Sequence, residues 1–134
     1  MRPALAVGAL LAAMLVSACA PAAAGGEQVT VAFRYSRFSP SALEVPVGVP
    51  VTFALRNDDP IDHEWIVGTA DVHAVHRVGT EPVHEGRANE VSVPAYSTRV
   101  TTVTFGRAGT YLFICHLPGH ESYGMVGTLR VVSR

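Results

Sequence analysis

The sequence predicts an all-β fold, an antiparallel β-sandwich formed by residues 27–134. Three observations support this prediction. Apolar and polar residues alternate in several short runs, which is the pattern of half-buried strands. Turn-forming residues separate these runs, and the region contains no long amphipathic helix. A chain of 134 residues has room for one such domain with one core.

The predicted strands follow one another through this region. The clearest alternation occurs in two runs, at 29–35 and 51–56. Further apolar runs lie at 63–68, 89–93, 99–105, 110–115 and 127–132. Proline, glycine, asparagine and serine mark turns at 39–40, 46–50, 57–60 and 106–109. The stretch 69–88 breaks the alternation, and we expect an irregular excursion or a turn of helix there.

The N-terminus has the order of an export signal. Arg2 precedes an apolar segment at 4–16, and small residues lead to Cys19. This apolar segment is shorter than the roughly 20 residues that a helix needs to cross a bilayer. We therefore interpret residues 1–18 as a signal peptide that is removed and residues 19–26 as a flexible tether.

The end of the signal, Val-Ser-Ala-Cys, resembles the lipobox of bacterial lipoproteins. This resemblance implies that Cys19 becomes a lipidated N-terminus and anchors the protein to a membrane at the periplasmic or extracellular face of the cell envelope. Ordinary cleavage among the small residues 18–24 is the alternative.

The charge and cysteine content exclude some functions. Eleven acidic residues nearly balance ten basic ones, which argues against a nucleic-acid partner. Only Cys19 and Cys115 are cysteines. With Cys19 lipidated, the domain cannot form an internal disulfide, so Cys115 needs another explanation. Met125 is the only methionine after the signal, and it lies close to Cys115 in the sequence.

Four side chains that can bind metals, one cysteine, two histidines and one methionine, occur together in the stretch FICHLPGHESYGM. Cys115 ends a predicted strand with its side chain directed inward, a Leu-Pro-Gly turn presents His120, and a second short loop leads to Met125. Thiolate, thioether and imidazole together are a ligand set for copper. A trigonal His2Cys plane with a weak axial methionine needs one more imidazole, and His63 at the start of an earlier strand is the candidate.

The spacing Cys115-x4-His120-x4-Met125, preceded by AGTYLFIC and followed by GTLRVV, resembles the copper loop of the cupredoxins. These are the blue-copper proteins such as plastocyanin, azurin, rusticyanin and auracyanin, and the spacing is most similar to the last two. The resemblance covers nearly all of residues 27–134. It implies a Greek-key β-sandwich with one type 1 copper that cycles between Cu(I) and Cu(II). It also implies that His63, Cys115 and His120 form the ligand plane and that Met125 binds axially.

Two other chemistries fit less well. A cysteine protease would need a substrate cleft and a third group to orient the histidine beside Cys115, and neither is evident in so small a sandwich. A zinc site would leave Met125 unexplained, because methionine is a poor zinc ligand. We expect no enzymatic activity.

Multicopper oxidases share part of the same signature, because His116 follows Cys115 directly. Those enzymes hold a trinuclear cluster with His-x-His pairs, which are missing around Cys115 and His63. We therefore expect no oxygen reduction and interpret His116 as a solvent-exposed loop residue. Plastocyanin and azurin usually carry asparagine after the first ligand histidine, whereas this chain has Glu64, so the contacts around the copper should differ.

Three more histidines, His73, His76 and His84, lie in the irregular stretch. His73 and His76 are three residues apart, and one helical turn would place both on one face. A second, weaker metal site is one interpretation, and polar surface residues is the one we favour. Trp65 shares the inward face of its strand with His63 and should pack in the core.

These observations favour an electron carrier outside the cytoplasm. We expect a monomer that exchanges single electrons with a redox partner protein such as an oxidase, a reductase or a cytochrome. The alternative is a lipoprotein that binds copper or delivers it to a copper-accepting protein for copper resistance. The histidine-containing stretch and Glu64 support this alternative.

Overall fold

The computed structural model describes residues 26–79 and 86–133. The predicted signal peptide, Cys19 and His84 lie outside the described residues. Within them, no helix is long and apolar enough to cross a membrane. The strands and the helix follow in the order β1 (Glu27–Phe33), β2 (Phe38–Ser39), β3 (Ala42–Pro46), β4 (Pro50–Asn57), β5 (His63–Gly68), α1 (Ala70–Arg77), β6 (Glu90–Val93), β7 (Thr98–Thr104), β8 (Gly109–Ile114) and β9 (Val126–Val132).

Two sheets form the predicted sandwich. One has the strand order β2-β1-β4-β7, and the other has the order β3-β9-β8-β5-β6. The all-β sandwich is confirmed, and strands distant in sequence lie side by side, as in a Greek key. The pairs β1–β4 and β3–β9 are parallel, whereas the other pairs are antiparallel, so both sheets are mixed.

The core lies between the two sheets. The alternation predicted for β4 is observed, with Val51, Phe53 and Leu55 buried. Trp65 is fully buried as predicted, and its ring centroid lies 4.9 Å from that of Phe53 in the opposite sheet. Aromatic rings of this size contribute much of the apolar area that a small sandwich buries.

The sequence pattern located the long strands well and missed two short ones. The strand predicted at 63–68 coincides with β5, and the other predicted strands match observed ones with ends that differ by one or two residues. Strands β2 and β3 were missed because they are short and the prolines Pro40 and Pro46 interrupt the apolar pattern around them. The expected turn of helix in the irregular stretch is α1.

Strand β5 is buried on both faces along its whole length. Its inner face packs in the core, and α1 lies over its outer face. The contact between helix and strand is close at Gly68, where a Cβ atom would lie 2.7 Å from the Cβ of Val72. The irregular stretch therefore brings a helix onto the same sheet that carries His63 and leads to Cys115.

We expect Gly127→Ala to destabilise the fold. Gly127 pairs with Phe113 across β8 and β9, and a Cβ at Gly127 would lie 2.1 Å from two atoms of the Phe113 ring. Because Phe113 is fully buried, the ring cannot move without disturbing the core. Overpacking of this kind costs about 1–3 kcal/mol of unfolding free energy, which urea denaturation would measure.

Gly106→Ala is the matched control, because a Cβ there meets no atom within 4 Å. Equal stabilities of the two variants would show that the approach of β9 to the Phe113 ring does not limit packing.

Candidate metal centre

Three predicted ligand side chains meet at one end of the sandwich. The Nδ1 atoms of His63 and His120 are 3.2 Å apart, and Sγ of Cys115 lies 3.2 Å from Nδ1 of His120. One ligand atom from each residue lies within 4.8 Å of the others. His63 and Cys115 are fully buried, and His120 is partly exposed.

The register of two strands brings residues distant in sequence together. His63 begins β5, and Cys115 follows the last residue of β8, its antiparallel neighbour. The backbone N–H of Glu64 donates a hydrogen bond to Sγ of Cys115 at 3.3 Å. Although the carboxylate of Glu64 cannot donate, this residue therefore donates to the sulfur through its main chain.

Backbone hydrogen bonds close the loop between Cys115 and Met125. The N–H of Cys115 donates to the carbonyl of Met125 at 3.2 Å, and the N–H of Met125 donates to the carbonyl of His120 at 2.9 Å. The N–H of His120 donates to the carbonyl of Leu117 at 3.0 Å. Met125 is fully buried. These bonds fix the spacing of the cysteine, histidine and methionine in one tight bend.

Asp59 holds His63 in place, and the sequence analysis did not identify it. Its Oδ2 atom lies 2.8 Å from Nε2 of His63. The backbone N–H groups of Tyr35 and Ser36 donate to the same carboxylate at 2.7 and 2.9 Å. The amide of Asp59 in turn donates to Oδ1 of Asn57 at 3.0 Å. The acidic residues in the loop before His63 were the sequence feature that could have indicated this role of Asp59.

This arrangement fixes the tautomer of His63. An imidazole that donates Nε2–H to a carboxylate keeps a lone pair on Nδ1, the nitrogen that faces His120 and the sulfur. Carboxylate-bound histidines of this kind are common around protein metal ions, where the outer contact orients the ring.

Burial sets the protonation of the site. Burial raises the pKa of the Cys115 thiol to about 11. It lowers the pKa of His120, and the neighbouring His63 lowers it further. Burial would raise the pKa of Asp59, but the hydrogen bonds from Ser36, Tyr35 and His63 outweigh it, so this pKa is lowered. The site therefore combines a carboxylate with a neutral His120 and a protonated thiol at neutral pH.

The donor set fits copper. Two imidazole nitrogens and a thiol sulfur converge in a pocket of fully or partly buried side chains, and a buried thioether side chain follows on the same loop. Soft sulfur donors combined with imidazole favour copper over magnesium, calcium or manganese. Among the described residues, the sulfur of Cys115 forms no disulfide.

The structure corrects the interpretation of three histidines. His116 was expected to be exposed, but its side chain is only 5% exposed. His73 and His76 were interpreted as surface residues, whereas His73 is fully buried and the side chain of His76 is 5% exposed. The reason is that α1 covers the outer face of β8, toward which alternation directs His116. Burial and the neighbouring His73 lower the pKa of His116 to about 4.

Comparison with known proteins identifies a family and several relatives. The family described as "Cupredoxin-like domain" matches residues 6–131. A "Copper-resistant cuproprotein CopI" of Rubrivivax gelatinosus is 32% identical over 71% of this chain and 59% of its own length. This chain thus spans about three fifths of that relative. A protein of the same name from Pseudomonas aeruginosa is 29% identical over 84% of this chain and 80% of its own length.

Solved structures show the same fold. Auracyanin A, a "blue" copper protein from Chloroflexus aurantiacus, is 26% identical with a TM-score of 0.63 over 81% of this chain and 100% of its own. Auracyanin B is 26% identical with a TM-score of 0.64 over 79% and 88%. The auracyanin of Roseiflexus castenholzii, at 22% identity and a TM-score of 0.67 over 81% and 99%, supports the fold alone.

We expect Asp59→Asn to destabilise the metal-free protein by about 1–3 kcal/mol at pH 7, because one of its buried hydrogen-bond partners loses its acceptor. The pKa of Asp59 is lowered, so the stability from its carboxylate is present above the ordinary value of 3.8 and is lost as the pH falls through the lower folded value. Urea denaturation at a series of pH values should show a smaller difference between variant and parent in acid.

Asp58→Asn is the matched control, because Asp58 is a neighbouring aspartate whose exposed carboxylate pairs with Arg56. It should cost less than about 1 kcal/mol at any pH. If both variants lost the same stability, Asp59 would not be the residue that supports this end of the fold.

Proposed function

Since the chain belongs to the cupredoxin-like domain family, we propose that it carries single electrons between redox partner proteins outside the cytoplasm. Its cofactor is copper, held at a type 1 site. The observation that carries this proposal is the ligand cage, the group formed by the side chains of His63, Cys115 and His120. These side chains are buried or partly buried, and hydrogen bonds hold them in place.

We assign four residues as the copper ligands. His63 and His120 would bind through Nδ1, Cys115 through Sγ, and Met125 through its thioether. The 3.2 Å separations between the nitrogens and the sulfur, together with the loop hydrogen bonds, support the first three. The burial of Met125 next to this bend supports the fourth.

A rigid cage suits electron transfer. Copper supplies the redox chemistry by cycling between Cu(I) and Cu(II), and ligands that move little between these states keep the reorganisation small. In this chain Asp59 restrains His63, the Glu64 amide restrains the sulfur, and the closed loop restrains His120. The protein contributes a fixed geometry rather than a reacting group.

The partly exposed edge of His120 provides a route for electrons. Exposed aromatic side chains lie on the segments around it: Tyr123 is 67% exposed, and its backbone N–H donates to Gly119 in the same loop. Tyr35 and Tyr96 are 78% and 74% exposed, and their backbones bond to Asp59. Such a surface suits brief docking of a redox partner, because aromatic rings supply contact area without fixed charge pairs.

Copper handling is the second candidate function. The two relatives named "Copper-resistant cuproprotein CopI" favour it. In that role the protein would bind copper outside the cytoplasm and hold it or pass it to a copper-accepting protein. Membrane attachment through Cys19 remains part of both proposals, as do the signal peptide 1–18 and the monomeric state.

Repeated redox cycling separates the two functions. We expect the copper-loaded full chain to keep its copper through many cycles of ascorbate reduction and ferricyanide oxidation in the presence of excess Cu(I) chelator, because all the ligands are fixed. The intense thiolate-to-Cu(II) absorption band would report the retained metal. Copper that moves to the chelator on each reduction would contradict electron carriage and favour copper handling. Cys115→Ala is the negative control and should lack the band.

Copper uptake should release about one proton per ion at pH 8. The pKa of the Cys115 thiol is raised to about 11, so the thiol is protonated in the metal-free protein, whereas copper binds the thiolate. The pKa of His120 is lowered from its ordinary value of 6.5, so this imidazole is neutral at pH 8 and contributes no proton. A pH indicator in weakly buffered solution would measure the release, with the copper source alone as the blank.

Cys115→Ser is the control and should release none, because the serine hydroxyl stays protonated. Uptake without proton release by the parent chain would mean that the sulfur is not a ligand.

A further inference from the structure

A second group of imidazoles lies on the outer face of the sheet that carries Cys115. His73 on α1 and His116 after β8 approach each other, with Nδ1 of His73 only 3.0 Å from Nε2 of His116. The ring of His76 stacks on that of His116, with centroids 5.4 Å apart and an interplanar angle of 21°. All three side chains are almost completely buried.

The contact between His73 and Leu112 directs a lone pair toward His116. Nε2 of His73 lies 3.2 Å from the carbonyl of Leu112, which can only accept, so this nitrogen carries the hydrogen and Nδ1 is an acceptor. Nε2 of His116 lies 3.0 Å from that Nδ1 and can donate to it in the metal-free protein, since Nδ1 of His116 lies 3.6 Å from Oε2 of Glu121, beyond hydrogen-bond distance. A cation that replaces this shared hydrogen would contact one lone pair from each ring.

A backbone carbonyl also orients the ring of His76. Nδ1 of His76 lies 2.8 Å from the carbonyl of Val72, so it donates there and leaves Nε2 as the nitrogen with a lone pair. Nε2 of His76 lies 3.6 Å from Oε2 of Glu90. His73 and His76 thus each have one nitrogen oriented by a backbone carbonyl, as is usual for histidines that bind metals.

We propose that His73, His116 and His76 form a second metal site, which takes a divalent cation that prefers imidazole, with Cu(II) bound most tightly. An ion at about 2.0–2.1 Å from two imidazole nitrogens holds them roughly 3 Å apart. The separation of 3.0 Å between His73 and His116 meets this requirement, as does the 3.2 Å between His63 and His120 in the first site. Imidazole ligands suit copper and zinc, and Cu(II) binds more tightly than Zn(II) in the usual order.

Two ion pairs cover the group. Arg77 binds Glu121 with a shortest distance of 2.6 Å, and Arg87 binds Glu90 at 2.9 Å. The Arg77–Glu121 pair is partly exposed, so its opening offers an entry path from solvent. Release of Glu121 from Arg77 would also supply a carboxylate next to His116.

The two sites are adjacent in the chain. Cys115 points into the core and His116 points to the opposite face, because side chains alternate along a strand. A cation at His116 would therefore be bound by the residue next to Cys115, on the other face of the sheet from the proposed first copper. It should change the environment of the first copper, and both ions should be observable separately.

Zinc titration tests the proposal, since Zn(II) is redox-inactive and leaves the first copper as the reporter. The full chain, loaded with one equivalent of copper and showing the thiolate band, should bind one further equivalent of Zn(II) by calorimetry and show a higher melting temperature. A second equivalent of Cu(II) should give a paramagnetic resonance signal distinct from that of the thiolate copper.

Variants assign the second ion. His116→Gln and His76→Gln should weaken Zn(II) binding at least about tenfold while the thiolate band remains. Asp71→Asn, at an exposed position on α1, should change neither property. If His116→Gln does not fold, His76→Gln alone provides the test of the site. Absence of a second equivalent, or unchanged Zn(II) affinity in both histidine variants, would overturn the proposal. If the copper-loaded parent chain showed no thiolate-to-Cu(II) band, the proposed function would be refuted instead. The failure of the second site and the failure of the proposed function are therefore distinguishable.

Discussion

The carboxylate of Asp59 is the constraint on which the metal-binding end of the molecule depends. It accepts the backbone N–H groups of Tyr35 and Ser36 and contacts Nε2 of His63. Because the turn after β1 and His63 at the start of β5 bind the same two oxygens, the loop before β5 cannot move without breaking several buried hydrogen bonds. The position of His63 is therefore set by the fold before any ion binds.

Side chains alternate between the two faces of β8, so this one segment contributes residues both to the core and to the outer face of the sheet. Phe113 and Cys115 point into the core, and Gly127 leaves room for the Phe113 ring. Leu112 presents its carbonyl to His73 on the outer side, toward which His116 also points. Helix α1 covers that outer side and converts what would be exposed polar residues into a buried group. The candidate copper site and the histidine group thus share one strand and the residues that follow it.

The sequence predicted much of the fold and the side chains of His63, Cys115 and His120 that meet at one end of it, because the signals were local or strongly patterned. Cys115, His120 and Met125 lie on one short loop with a distinctive spacing, and period-two alternation marked strands such as β4 and β5. Asp59 was missed because its role depends on the turn at Tyr35, far away in the sequence. His116 was misinterpreted because no local pattern shows that α1 covers the outer face of β8. Strand β3 was missed because its pairing with β9 is parallel and non-local.

The most direct test of the account is a crystal structure of the copper-loaded protein with the metal located by its anomalous scattering. The account predicts one copper bonded to Sγ of Cys115 and to Nδ1 of both His63 and His120, with Asp59 still bound to Nε2 of His63. The ligand side chains should lie within about 0.5 Å of their metal-free positions, as a preorganised site requires. A copper-loaded structure with no copper at the sulfur of Cys115, or with ligands that reach the copper only after the loop before β5 rearranges, would contradict the account.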